Sequence, residues 1–418
     1  MRFFKLYKAN FQADKEELKG KSVVLLYSGG LDTSVMLKWI QEKYECELIS
    51  LTLSIGQRGK DFKKIEEKAK NLGVKKHYTI DANEEFIEDY VLPAIKANAL
   101  YEGTYPLHSA LSRPLLAKWA VDIAKKEGAA AIAHGCTGKG NDQVRITVTA
   151  YTLEPNIKVI QPVVEWGFSR KEETEYAIKH NIPIPKDSKY SIDENLWGRS
   201  IECSDLEYPE MEPNEDAFEW TANPKNAPDE VEYVTIEFIK GVPVGINGEK
   251  MDTIKLIQKL NDIGGKHGIG RLDHLEDRIV GIKSREIYEN PAAVLLIVAH
   301  KDLEKSVCTT QELAFKNMVD DKWANLIYSG LWVDPLKEDL DVLINKVNEK
   351  VNGEVRLKLY KGNAQIVGRK SDWALYDYNL ATYEKKSTFN EKASAGFMEL
   401  YGLQVKLANI IRKRNEKK

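Results

Sequence analysis

The run that most constrains the chain lies near its start. An apolar stretch of strand length, 21–27 (KSVVLLY), leads into Ser28-Gly29-Gly30-Leu31-Asp32-Thr33-Ser34. A segment over 35–44 follows, with Met36, Trp39, Ile40 and Lys43 at helical spacing. Glycines let the chain turn sharply and bring backbone N–H groups close to an anion. The helix that follows points its positive end at the same place. Ser28, Thr33 and Ser34 add hydroxyl donors, so the loop reads as a seat for phosphates. It is neither a Walker A loop, which needs GxxxxGK[ST], nor GxGxxG. The next segments keep the alternation: a strand over 47–55, a polar amphipathic helix over 61–72 that stops at Gly73, and a strand over 76–80. Strand and helix in this order predict a doubly wound α/β unit with a parallel sheet.

The alternation continues with a helix over 114–127 ending at Gly128, a buried strand over 129–134 (AAAIAH) and a second Gly-rich turn over 135–142 (GCTGKGND). A last strand over 159–164 and a helix over 170–180 close this unit. The IPIPK stretch at 182–186 reads as a boundary, and 211–229, rich in Pro, Asn and acids, as a long loop. Beyond it, strands are expected over 231–240, 293–300, 355–360 and 364–369, and helices over 251–261 and 310–329. That order lacks strict β-α alternation and predicts an α+β second domain. The expected organisation is an extension over 1–20 with a helix at 15–18, a nucleotide-binding domain over 21–183, a second domain over 184–392 and a tail over 393–418. The tail is amphipathic and basic at its end, as an oligomerisation helix would be.

Composition narrows the function. With 418 residues the chain is too long for one small core. Lys and Arg number 61 against 64 Asp and Glu, and a net charge of −3 argues against a dedicated nucleic-acid binder. Hydrophobic residues at 43% and charged residues at 30% exclude a disordered chain, a collagen and a membrane bundle. No run approaches the ~20 apolar residues of a membrane span. Cys46, Cys136, Cys203 and Cys308 form no CxxC pair, which predicts buried free thiols in a reducing compartment. Met1-Arg2-Phe3-Phe4-Lys5 opens no signal-peptide pattern, so the cytoplasm is the expected location. His267 and His274 lack a third ligand at useful spacing, and no metal-ligating residues are expected. His134 reads as a core or loop histidine rather than a general base.

The second loop, HGCTGKGNDQVR (134–145), is also not Walker A, because Gly140 sits where Ser or Thr should be. It gathers Thr137, Asn141, Asp142 and Arg145 in one place. The first loop resembles the SGGxD[ST]S loop of the ATP-pyrophosphatase (PP-loop) superfamily. YSIDENLWGRSIE (190–202), GRLDHLEDRIVGIKSREIYE (270–289) and LYKGNAQIVGRKS (359–371) accompany it. With these, the chain from about residue 21 onward resembles the argininosuccinate synthase family. The resemblance implies a PP-loop nucleotide-binding domain, a second synthetase domain and a C-terminal oligomerisation helix. It implies a ligase that condenses citrulline with aspartate through a citrullyl-adenylate, releasing AMP and pyrophosphate. ATP would be the co-substrate, with Mg²⁺ held mostly by phosphate oxygens and water. The family forms homotetramers that exchange C-terminal helices; no nucleic acid or membrane is implied as a partner.

Carried over residue by residue, the resemblance assigns Tyr27, Ser28, Gly29, Gly30, Leu31, Asp32, Thr33, Ser34, Ser54 and Gly135 to ATP. It assigns Thr137, Asn141 and Asp142 to aspartate, and Tyr105, Ser109, Asn141, Arg145, Ser191, Ser200, Glu276 and Tyr288 to citrulline. Asp32, Lys139 and Asp142 are the implied catalytic residues. The chain also departs from the family. The pattern Y-x-L-G-T-S-L-A-R-P is YPLHSALSRP here (105–114), so Ala110 replaces a serine that binds citrulline and His108 a glycine. Ser109 or Ser112 would have to restore the donor. Ser204 and Glu286 stand at usual glycines, and Val163-Val164 where Trp-Arg is common. Two readings stay open: an argininosuccinate synthase, and a sister ligase that adenylates another ureido or amide acceptor. A PP-loop tRNA-modifying enzyme would need an RNA-binding extension and a basic face; a dead nucleotide-binding module would not need both loops intact.

Overall fold

The computed structural model describes residues 12–184 and 189–417. Most of the expected N-terminal extension, and the end of the Pro-bearing boundary at 185–186, lie outside the described residues. The short helix Lys15–Leu18 is present, held by an Asp14–Glu17 capping box. The chain divides into two units, one ending at Trp373 and one spanning Ala374–Lys418.

In the first unit β1 (Ser22–Leu26), β2 (Glu47–Ser54), β3 (Lys76–Asp81), β4 (Ala131–Ala133) and β5 (Lys158–Ile160) form a parallel sheet in the order β3-β2-β1-β4-β5. β1 shows why its apolar run is continuous rather than alternating. Val24 and Leu26 join one core with Ile49 and Leu51, while Val23 and Leu25 join another with Met36, Leu37 and Ile40. Both faces are covered, as a parallel sheet requires.

The chain then builds two antiparallel sheets. β6 (Ser191–Asn195) and β7 (Gly198–Glu202) form a hairpin. β8 (Glu232–Ile239), β9 (Val242–Ile246) and β10 (Glu249–Lys250) start a second sheet. β11 (Arg271–Asp277) and β12 (Lys283–Glu289) return to the first, in the order β11-β12-β7-β6. β13 (Gly353–Tyr360) and β14 (Asn363–Lys370) complete the second, in the order β10-β9-β8-β13-β14. The fold is thus α/β with a second, antiparallel-sheet part.

Several expectations need correction. Residues 293–300 are not a strand but lie inside the helix Pro291–Val307. An apolar run of seven does not distinguish a buried strand from a buried helix. Pro291 at the helix start, where its missing N–H costs nothing, marks the helix. The strand expected over 159–164 ends at Ile160, and Pro162 opens the short helix Pro162–Trp166. The helix expected from 114 begins at His108, with Pro114 inside it. His108, Ser109, Ala110 and Leu111 are all buried, so packing supports a first turn that the proline disfavours. The second loop runs into a helix, Asp142–Leu153, whose β-branched residues concealed it.

In the second unit, Glu391–Tyr401 and Leu403–Asn415 are helices with no buried residue. Phe397, Leu400, Tyr401, Val405, Ile410 and Ile411 are all exposed.

Candidate active site

β1 and β4 are neighbours where the strand order reverses, and the two Gly-rich loops leave their carboxyl ends side by side. That is the position where open parallel sheets bind ligands. Gly29 has φ +81°, and a Cβ there would lie 2.8 Å from Ile65. A larger residue would be strained and crowded at once. Gly30 caps the helix Leu31–Tyr44, and Asn141 caps Asp142–Leu153; neither end has a side-chain cap hydrogen bond. Two helix N-termini thus keep N–H groups for a ligand, and both caps line one cleft. Within the first loop, Ser34 is buried, donates to the Gly30 carbonyl (2.6 Å) and lies 3.1 Å from the Tyr27 hydroxyl. These two residues brace the loop, while the hydroxyls of Ser28 and Thr33 lie 3.1 Å apart on it. Asp32 pairs with Arg170 (2.6 Å), which also reaches Glu173 at 3.1 Å.

The opposite wall is the face of the β11-β12-β7-β6 sheet. Side chains alternate along a strand, and the register pairs Tyr288 with Ser200 and Ser200 with Asp193. Ser191, Asp193, Ser200, Glu202, Glu276, Glu286 and Tyr288 all line the cleft, whose volume is about 730 Å³. A neighbouring recess of about 330 Å³ is walled by Tyr27, Leu31, Thr33, Leu51, Leu53 and Ile55, and shares Ser28, Gly30 and Asp32 with the main cleft.

Charged side chains tie the walls together. Arg113 donates through Nε to Asp142 (2.7 Å) and through Nη2 to Asp193 (2.7 Å), while Arg145 Nη1 donates to the other Asp142 oxygen (2.8 Å). Burial would raise the Asp142 carboxyl, but the two guanidiniums outweigh it and hold it well below the usual range. Ser109 donates to Asp193 (2.8 Å), and its backbone N–H donates to the Tyr105 hydroxyl (3.0 Å). Tyr105 stacks on Tyr288 with ring centres 4.4 Å apart. Glu276 is buried and accepts from the Tyr288 and Tyr328 hydroxyls, both at 2.7 Å. Asn141 donates to the Tyr328 hydroxyl (2.8 Å) and accepts from the Ile279 N–H (2.9 Å). Arg145 Nε donates to the Tyr328 carbonyl (2.9 Å).

Of the residues implied by the resemblance, the cleft and its recess gather Tyr27, Ser28, Gly29, Gly30, Leu31, Asp32, Thr33, Tyr105, Ser109, Gly135, Thr137, Asn141, Asp142, Arg145, Ser191, Ser200, Glu276 and Tyr288. They do not gather Ser34, which lies beneath the loop, nor Ser54, whose hydroxyl accepts from Asn83 (3.2 Å). Lys139 is exposed and off the walls; its carbonyl accepts from Arg278 at 3.3 Å. Ala110 is fully buried in the core, away from the cleft, and the hydroxyl at the wall is that of Ser109. Ser112 is buried too and donates to the Ser109 carbonyl (2.9 Å). Arg113, Asp193, Glu202, Arg278 and Glu286 line the cleft and were not picked out as site residues from the sequence. Arg113 sat just ahead of the helix as first drawn, so its place on that helix was hidden. His134 is buried, with Nε2 3.1 Å from the Thr147 hydroxyl and Nδ1 accepting from the Cys136 N–H (3.3 Å). Burial pulls its imidazole down to about 4, as it does that of His108. Among the described residues no group of three or more His, Cys, Asp or Glu is placed to hold a metal ion, and no helix is long and apolar enough to cross a membrane.

A five-stranded parallel sheet with two Gly-rich loops at its switch point, facing an antiparallel wall of side chains, is the frame of a HUP-type domain joined to a second domain. The model described as "Arginosuccinate synthase N-terminal HUP domain" matches residues 22–183, and "Arginosuccinate synthase C-terminal domain" matches 190–408. An argininosuccinate synthase of Pyrococcus furiosus is 59% identical over 92% of this chain and 94% of its own. One of Symbiobacterium thermophilum is 52% identical over 94% and 98%. A 4-thiouridine synthetase–RNA complex with bound ATP aligns over 39% of this chain and 41% of its own, at 19% identity and a TM-score of 0.30, too low to carry an argument. The chain belongs to the argininosuccinate synthase family and is an enzyme, a ligase of that type.

Proposed function

We propose that the enzyme condenses citrulline with aspartate at the expense of ATP, through a citrullyl-adenylate. The observation that carries this is the pair of uncapped helix N-termini in one cleft, opposed by a wall of carboxylates, hydroxyls and tyrosines. The triphosphate lies on the N–H groups of Gly29, Gly30 and the helix behind them, with Ser28 and Thr33 donating and Gly135 alongside. The apolar recess beside the loop takes the adenine. Mg²⁺ would accompany the phosphates and offset their charge; Asp32 is the carboxylate on that loop. Ser34 and Ser54 support the ATP wall from behind, and Lys139, exposed on the second loop, reaches over the phosphates.

Citrulline lies between Tyr105, Ser109, Arg145, Ser191, Ser200 and Tyr288. Its ureido oxygen attacks the α-phosphorus and pyrophosphate leaves. The amine of aspartate, held by Thr137, Asn141 and Asp142, then attacks the ureido carbon; AMP leaves with the oxygen, and the amine sheds its proton. Asp142 is clamped by two arginines but keeps a second lone pair on each oxygen to orient that amine. Glu276 acts through the two tyrosines it holds. The chain's work is positioning and charge stabilisation rather than covalent chemistry.

Cytoplasmic location and a homotetramer complete the reading, with the exposed apolar residues of Glu391–Tyr401 and Leu403–Asn415 docking on a neighbouring copy. A chain truncated before 393 that stays tetrameric in ultracentrifugation refutes the docking role. The activity is tested by mass spectrometry of products from ATP, aspartate and a panel of ureido acceptors. Argininosuccinate, AMP and pyrophosphate in equal amounts are expected with citrulline. Formation of ADP refutes the adenylation route, and turnover only with another acceptor favours the sister ligase.

A further inference from the structure

Among the described residues that line the cleft, two buried side-chain atoms have no hydrogen-bond partner: Arg145 Nη2 and Glu286 Oε2. They are opposite in kind, a cationic donor and an anionic acceptor. An unfilled buried polar group is costly, and in a site it marks where a ligand completes the bonding. A carboxylate suits the first and an ammonium the second, and an α-amino acid carries both.

Glu276 already accepts a tyrosine hydroxyl on each of its oxygens, whereas Glu286 has one oxygen with no partner at all. Glu286 is only 2% exposed. Its Oε1 accepts from Arg278 Nη2 and from the Ser284 hydroxyl (2.9 Å), which leaves Oε2 over. The register that pairs Tyr288 with Ser200 brings Glu286 beside Glu202 two residues on. Glu202 is 42% exposed at the mouth, with Arg278 at 3.4 Å.

We propose that Glu286, with Glu202 in front of it, adds a further carboxylate to the seat for the α-ammonium of the amino-acid acceptor. This rests on the citrulline reading above. Desolvation in the cleft raises both carboxyls, and each is raised further by a neighbouring carboxylate: Glu286 for Glu202, and Glu276 for Glu286. The groups around the pair are Arg278, Glu276 and the facing His274 from β11 and its turn, Asp193 from β6, and Asp142 from the second loop's helix. An arriving ammonium favours the ionised form of both carboxyls, so binding releases any proton they hold.

Steady-state kinetics on the full chain compare citrulline with the same ureido acid lacking its α-amino group, in wild type, Glu286→Gln and Glu286→Asp. Glu286→Gln is expected to raise the citrulline KM about ten- to a hundredfold, the worth of a hydrogen bond between charged groups. The KM for ATP and aspartate and the use of the deaminated compound should stay within about twofold, and Glu286→Asp should recover part of the loss. Calorimetric titration of citrulline near pH 7, in buffers of different ionisation enthalpy, should show proton release in wild type that Glu286→Gln reduces. An equal loss for both acceptors, or an unchanged citrulline KM, overturns the inference while the functional reading stands. A wild-type chain inert toward citrulline sinks that reading instead, and the inference with it.

Discussion

The two walls of the cleft are built by different means. The parallel-sheet wall works with backbone: two helix N-termini without side-chain caps and a left-handed Gly29. The antiparallel wall works with side chains, Ser200, Glu202, Glu286 and Tyr288 set at alternate positions on neighbouring strands. Backbone donors suit a ligand part common to many reactions, a phosphate chain, because they depend little on which residues surround them. Side chains suit the part that differs between reactions, because each can be exchanged without rebuilding the sheet. The contrast teaches that substitutions on the second wall should change which acceptor is used, whereas damage to the first should stop the enzyme with any acceptor.

The residue joining the walls gives the hardest test. Arg113→Met strands Asp142 and Asp193 without their shared guanidinium. Two charge-assisted hydrogen bonds are lost, each worth about 1.5–3 kcal/mol, so kcat/KM, read as pyrophosphate release, should fall about a hundredfold or more. A loss under tenfold would mean the walls act independently. Next, Asp32→Ala should slow pyrophosphate release about ten- to a hundredfold with every acceptor. Lys139→Ala should do less, since its side chain lies off the walls; a larger loss from Lys139 would show that the second loop closes over the nucleotide.

A third prediction concerns acid. His108, His134 and His300 are buried and their imidazoles are pulled down to about 4, burial being the main cause. An unfolded histidine titrates near 6.5. Between those values the unfolded chain binds more protons than the folded one, so stability present above pH ~6.5 is lost as the pH falls toward 4. Melting temperatures measured from pH 7 to 4.5 should decline across that window. A flat profile would contradict the neutral, buried state of these rings. The smallest effect is expected at Ala110. A serine there enters the apolar core instead of the cleft, so Ala110→Ser should leave the citrulline KM within about twofold and cost about 1–3 kcal/mol of stability. An improved KM would show that the helix His108–Glu127 turns when citrulline binds.

The legibility of the molecule follows the same division. The loops could be read because each is local: an apolar strand, glycines and a helix within a dozen residues. The strand-like reading of 293–300 failed because seven consecutive apolar residues carry no period in the sequence, and only the packing of Pro291–Val307 chose the helix. Arg113 was passed over because Pro114 argued for a helix start one residue later, whereas burial of His108 to Leu111 pulled the helix back by two turns. Glu276 could be picked out by resemblance. Its engagement with Tyr288 and Tyr328 could not, since Tyr328 lies 52 residues away on another element.

What the amino-acid sequence determined by itself is the parallel sheet, its two phosphate-ready turns and the family, because hydrophobic period and glycine placement act over short distances along the chain. Only the tertiary structure decided which acids remain free to meet a substrate. That depends on strand register and on hydrogen bonds between residues dozens of positions apart, and a carboxylate with a partner on each oxygen looks the same in sequence as one with an oxygen lacking any partner.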